Sequence, residues 1–436
     1  MSALTGASAT SLARLVAGRE ATAREVVEAH LRRVEDVNGR VNAVVQLDAE
    51  RALSGADAAD RAMARGEPLG PLHGVPFTVK DNIAAAGIEM AIGAPERVGV
   101  VPPADATAVA RVRAAGGVLL GKTNCPVYGG GIETENPVYG RTSNPYDLAR
   151  TPGGSSGGEA AIIAALGSPC GLGTDSGASV RLPAHFCGLA SIKPSAGRVP
   201  LTGVLDDEGQ LGTLGDPRTQ VGPLARSAED VALLLRVVAG PDSRDGGVAP
   251  VGLGDPGDVE LRGLRVAVQN DNGLDAPTPE TVAAVAAAAE ALGAAVEDGR
   301  HPDGGHELTI EVWRSYGEGV GAADVWRMLR RWDDFRGRML AFAARYDLLV
   351  CPVFPGPARL HGTMNVPGER DPTSWTTPHS LTGWPAATVR AGTSPEGLPI
   401  DVQLVAGPWR DDVALAAALR VERKLGPWPP PARGAG

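Results

Sequence analysis

Short apolar runs alternate with helical patterns along almost the whole 436-residue chain, and this alternation limits the folds open to it. Leu12, Leu15 and Val16, then Val26, Val27, His30, Leu31 and Val34, recur at helical spacing over residues 9–37. Residues 41–46 read as a strand and 49–65 as a helix that stops at Gly66. The stretch PLHGVPFTVKDN, residues 71–82, holds a Gly-containing turn and an apolar run over 75–79 that ends on Lys80. Helices follow at 107–115, 159–166, 228–238, 278–292, 326–344 and 411–425, with strands at 118–120, 265–269, 294–297, 348–353, 387–389 and 400–405. Residues 124–158 and 168–200, rich in Gly, Pro, Asn and Ser, read as loops. Interleaved short strands and helices predict an α/β sandwich around a mostly buried sheet. Residues 241–258, PDSRDGGVAPVGLGDPGD, resemble a linker, but strands continue on both sides, so the chain reads as one domain over 1–436 with no internal repeat.

Composition removes several function classes. Hydrophobic residues make up 43% and charged residues 21%, the balance of a globular protein. The 58 glycines and 36 prolines fit ordered turns. Lys plus Arg is 41 against 51 for Asp plus Glu, a net charge of −10, which repels a phosphate backbone and argues against nucleic-acid binding. The opening MSALTGASAT lacks the basic and apolar regions of a signal peptide. No uncharged apolar run reaches the roughly 18–20 residues that span a bilayer. Cys125, Cys170, Cys187 and Cys351 are widely spaced with no CxxC pair, so free buried thiols in a cytoplasmic protein are expected. All seven tryptophans lie between Trp313 and Trp428, which reads as core filling, with an aromatic-lined pocket as the alternative.

Two motifs are decoys by context. GGVLLGKT, residues 116–123, fits the phosphate-loop pattern, but a strand stands where the loop should be and its apolar residues would not cradle phosphates. GGSSG, residues 153–157, fits the nucleophile-elbow pattern around Ser155, but the entering segment YDLARTP is polar and holds a proline. His185, His301, His306, His361 and His379 follow it, so a Ser-His-Asp hydrolase stays open as a minor reading. No HExxH and no clustered ligand set appears, so no metal and no cofactor is expected.

The strongest constellation has three parts: Lys80 at the end of an apolar strand, the pair Ser155-Ser156 between two Gly-Gly dipeptides, and GTDSGASVRLP over 173–183. Glycines let backbone N–H groups approach a ligand closely. A row of inward N–H groups just before a serine is what an oxyanion hole requires. A serine hydroxyl needs a base to become a nucleophile. No His lies inside these segments, but a buried lysine whose ammonium form is disfavoured can serve.

These stretches resemble the amidase signature family: residues 71–82, 118–144 and above all 150–200, with a weaker match through YDLLVCP (346–352) and GLPIDVQLVA (397–406). The resemblance covers nearly the whole chain. It implies a single-domain α/β/α sandwich around a large, mixed, twisted sheet, with a catalytic core over 70–240 and a substrate-pocket cap over 300–400. It implies a Ser-cisSer-Lys triad in which Ser179 is the nucleophile, Ser155, after a cis peptide bond, the bridge, and Lys80 the base. The N–H groups of Ser176, Gly177, Ala178 and Ser179 match the oxyanion hole, Gly129 and Gly130 the wall of the acyl pocket, and Ser156, Asp175 and Arg181 supporting positions. A homodimer is the family-level expectation.

The chain departs from the family's pattern in three places. Ala178 stands where a second glycine usually precedes the nucleophile, and a methyl there narrows the acyl side or shifts one donor. Asp401 stands where the late motif usually has a glycine. The chain is short between about 300 and 345, so a thinner cap, an open pocket and bulkier substrates are expected. The implied activity is hydrolysis of an aryl or small acyl amide, with a carbamate (urethane) or ester next. The catalytic chain of a tRNA-dependent amidotransferase, working with partner chains, and a non-catalytic binding relative are the readings of other classes.

Overall fold

The computed structural model describes residues 3–207, 209–213, 215–317, 319–364 and 372–431. Its strands, in chain order, are β1 (Val44–Leu47), β2 (Pro76–Lys80), β3 (Val118–Thr123), β4 (Glu135–Asn136), β5 (Gly140–Arg141), β6 (Cys170–Asp175), β7 (Ala190–Lys193), β8 (Leu205–Asp206), β9 (Gly209–Gln210), β10 (Gln220–Ala225), β11 (Arg265–Val268), β12 (Ala295–Asp298), β13 (Leu348–Pro352), β14 (Ala386–Thr393) and β15 (Pro399–Ala406). Eleven of them form one sheet in the order β1-β3-β2-β6-β10-β7-β14-β15-β13-β11-β12, and β4-β5 and β8-β9 are small hairpins outside it. β2 runs parallel to β3 and β6, and β11 parallel to β12 and β13. The remaining pairs in the sheet are antiparallel, so it is mixed.

Helices cover both faces, and the side-chain period of two shows it. Val266, Val268, Leu348, Val350 and Leu404 join one apolar cluster with the helices Pro279–Leu292 and Asp411–Leu425. The residues between them, Ala267, Leu349, Cys351 and Val405, join another with Gly305–Gly317 and Ala322–Ala343. Strands covered on both faces are apolar without alternation, and β2, β3, β6, β7, β10, β13 and β15 are buried along their whole length. The edge strand β12 is exposed throughout. Local signals set the helix ends. Thr22 and Glu25 form a capping box, and the helix Pro279–Leu292 starts on Thr278-Pro279 and stops at left-handed Gly293.

Residues 241–258 connect β10 to β11, two strands of the same sheet, and buried Arg198 ties that loop down through Val251 O at 2.6 Å. The phosphate-loop lookalike is strand β3 through Thr123. A side chain at Gly121 would meet Gln46 O, and Lys122 Nζ sits 3.1 Å from Asp81 Oδ1. The four cysteines are buried and free. Trp332, Trp375 and Trp384 fill the core, whereas Trp326 is exposed. Among the described residues no helix is long and apolar enough to cross a membrane.

The expected loop at 168–200 contains β6, the helix Arg181–Cys187 and β7. Its glycines are packing requirements. A side chain at Gly171 would collide with Glu159, and one at Gly173 with Ser156. Further elements were absent from the sequence reading, among them β10, which holds Gly222 and Pro223, and the helices Gly305–Gly317 and Thr377–Thr382. Pro223 is tolerated in a central strand because β7 pairs only with Leu224 and Ala225 of β10.

Candidate active site

Strand β2 delivers Lys80 to a place just behind Ser155 and Thr174, which line a cavity of about 380 Å³. Lys80 is completely buried, and its Nζ lies 2.6 Å from Ser155 Oγ and 2.7 Å from Thr174 Oγ1. The Thr174 hydroxyl also accepts from Asn82 Nδ2 at 3.2 Å. Burial pushes the Lys80 ammonium down to about 8, against a small opposing pull from Cys125 and Asp175. A neutral amine has two N–H groups and one lone pair. With an N–H given to Thr174, the lone pair is left for the Ser155 hydroxyl.

Ser155 follows a cis peptide bond from Gly154, as the resemblance implies. Left-handed Gly129 closes over this pair. A side chain there would lie 3.6 Å from both Lys80 Nζ and Ser155 Oγ. Ser156 bonds through its hydroxyl to Thr174 N–H and O, each at 3.3 Å, and its N–H donates to Ser179 O at 3.1 Å. The two serine loops are thus joined through backbone. Ser155 and Ser179 line the same cavity. No hydrogen bond closes between their hydroxyls, and the Ser179 hydroxyl has no partner among the described residues.

The segment 176–179 turns between β6 and the helix Arg181–Cys187. Among the described residues, none of its four N–H groups donates to a protein acceptor, and all four residues line the cavity. Asp175 and Arg181 set this geometry. Both are completely buried, and Arg181 Nε and Nη2 each lie 3.0 Å from the Asp175 carboxylate. Arg181 Nη2 also donates to Gly177 O at 2.9 Å. Because the peptide unit is planar and trans, a carbonyl held toward Arg181 turns the next N–H, that of Ala178, the other way. Ser176 is held by Thr219 Oγ1 at 2.5 Å.

The expected site residues are therefore together: Lys80, Ser155 and Ser179 at the centre, Gly129, Gly130, Ser176, Gly177 and Ala178 as walls, and Ser156, Asp175 and Arg181 behind them. Ala178 lines the cavity and packs with Leu182, Phe186 and Phe354. Asp401 is remote. It is buried in β15, its carboxyl oxygens have no hydrogen-bond partner among the described residues, and burial pushes the group well above the usual range. The arrangement differs from the Ser-His-Asp alternative: the partner of Ser155 is Lys80, and among the described residues no histidine is hydrogen-bonded to Ser155. Among the described residues both ring nitrogens of His379 are without hydrogen bonds, and the ring packs against His301 at 5.2 Å. Thr174, Asn82 and Trp313 also line the cavity and were missed in the sequence. Thr174 stands inside the GTDSGAS stretch, close to Ser176 and Ser179. Trp313, which comes from the short region itself, lines the pocket. Two larger cavities, of about 720 and 590 Å³, lie near residues 428–431 and hold no lysine-serine pair.

The family model Amidase matches residues 25–303 and 314–415. A glutamyl-tRNA(Gln) amidotransferase subunit of Anaeromyxobacter sp. (strain K) is 34% identical over 95% of this chain and 96% of its own. A structure described as an unexpected vestigial protein complex that reveals the evolutionary origins of an s-triazine catabolic enzyme superposes with a TM-score of 0.86 at 32% identity, over 96% of this chain and 99% of that one. A bacterial aryl acylamidase belonging to the amidase signature enzymes superposes with a TM-score of 0.81 at 27% identity, over 97% and 96%. Sheet, loops and relatives converge: the chain belongs to the amidase signature family, whose enzymes act on C–N bonds.

Proposed function

We propose that the protein is an amidase that hydrolyses an aryl or small acyl amide through a seryl acyl-enzyme. One observation carries the reading: a fully buried lysine amine lies 2.6 Å from Ser155, which lines a cavity together with Ser179 and four N–H groups that have no protein acceptor among the described residues. Neutral Lys80 takes the proton of Ser155, and Ser155 takes that of Ser179. The Ser179 oxygen attacks the amide carbonyl, and the N–H groups of 176–179 hold the oxyanion. The proton returns through Ser155 to the leaving nitrogen, the C–N bond breaks, and water cleaves the ester by the same relay. Carbamates and esters pass through the same tetrahedral oxyanion and are the next substrates to try.

A second reading, the corresponding chain of a multi-chain amidotransferase, is favoured by the full-length similarity to a protein of that name. The purified chain alone, assayed with anilides, carbamates, esters and glutamine, separates the two. We expect amide hydrolysis without any partner, lost by about 10³-fold or more in Ser179→Ala and Lys80→Ala and retained in His379→Ala. Turnover of glutamine alone, and only with partner chains added, would favour the second reading.

A further inference from the structure

One wall of the cavity is not used by the relay. Trp313, on the helix Gly305–Gly317, lines the cavity and lies against the oxyanion loop. A methyl group built on Gly177 would come within 2.6 Å of its Cζ2 and Cη2. The indole thus takes the space that any side chain at 177 would need, beside the N–H groups that face the carbonyl oxygen. The ring is held in place. The Arg218 guanidinium lies 5.8 Å from its centroid, and Arg218 is fixed by Asp216 at 2.8 Å. The helix is anchored through His306 Nδ1 to Thr377 Oγ1 at 2.9 Å and by buried Leu308 and Val312.

We propose that Trp313 is a specificity-determining residue: its indole is a fixed, flat wall that selects substrates with a planar aromatic ring bonded to the scissile amide. This rests on the amidase reading and narrows it to aryl amides. An aromatic pair adds a preference of roughly 3- to 10-fold over an aliphatic ring of similar size.

The test uses two matched pairs: an anilide with the cyclohexylamide of the same acid, and a benzoyl with a cyclohexanecarbonyl amide of the same amine. The ratio of kcat/KM within a pair, compared between wild type and variant, cancels the inherent reactivity of the two amides. Trp313→Leu is expected to lower the aryl preference about 3- to 10-fold in at least one pair, and Trp313→Phe to keep most of it. Fluorophosphonate labelling of Ser179 should persist in both variants, which shows a folded site. Gly177→Ala should impair the wild-type background strongly, and Trp313→Leu in the same chain should restore part of the loss. If wild type turns over both members of each pair and Trp313→Leu leaves both ratios unchanged, the proposal is overturned while the amidase reading stands. If wild type turns over no amide, both fall.

Discussion

Lys80 and Lys122 lie on adjacent strands, both completely buried, in opposite electrostatic settings. Burial lowers the pKa of each. Lys122 has Asp81 at 3.1 Å, whereas among the described residues the hydrogen-bond partners of Lys80 are hydroxyl groups. With Lys80 brought down to about 8, about a tenth of it is neutral at pH 7 and most of it at pH 9. The neutral form grows as pH rises, so kcat/KM is expected to climb about tenfold per unit below 8 and level off above it. A pH–rate profile checks this, and a plateau already reached by pH 6 would contradict it. The base and both serines were legible because few residue types can do their work. Thr174 was not, since a hydroxyl in a buried strand has no distinctive pattern.

The helix Gly157–Ala164 is buried on every side and carries one carboxyl group, Glu159. Thr123 donates to it at 2.8 Å, Thr78 also donates, and burial still pushes its pKa from 4.5 up to about 8. The folded state therefore binds this proton more tightly than the unfolded chain. The resulting stability is present in full below pH 4.5 and lost as pH rises through 8. In Glu159→Gln the unfolding temperature should fall less steeply between pH 5 and pH 9 than in wild type, as calorimetry would read. Parallel slopes would show that Glu159 is already ionised in the fold. Most elements were visible as periodic apolar runs. Those missed share a reason: their buried positions are filled by residues that look like loop. β6 uses Gly171 and Gly173, and the helix Gly305–Gly317 buries His306 and Thr309 by hydrogen-bonding them to Thr377.

One mixed sheet brings segments almost 100 residues apart in sequence to a single cavity. β2 supplies Lys80, its parallel neighbour β6 leads into 176–179, and Ser155 enters from the loop ahead of the intervening helix. No single segment contains the site, so the fold is a condition of the chemistry. The most direct measurement does not require the natural substrate to be known. It is the rate and position of fluorophosphonate labelling, mapped by mass spectrometry across pH in wild type and Lys80→Met. We expect one adduct, on Ser179, forming faster as pH rises through about 8 in wild type and almost abolished in Lys80→Met. An adduct on Ser155, or undiminished labelling of Lys80→Met, would contradict the lysine-driven relay.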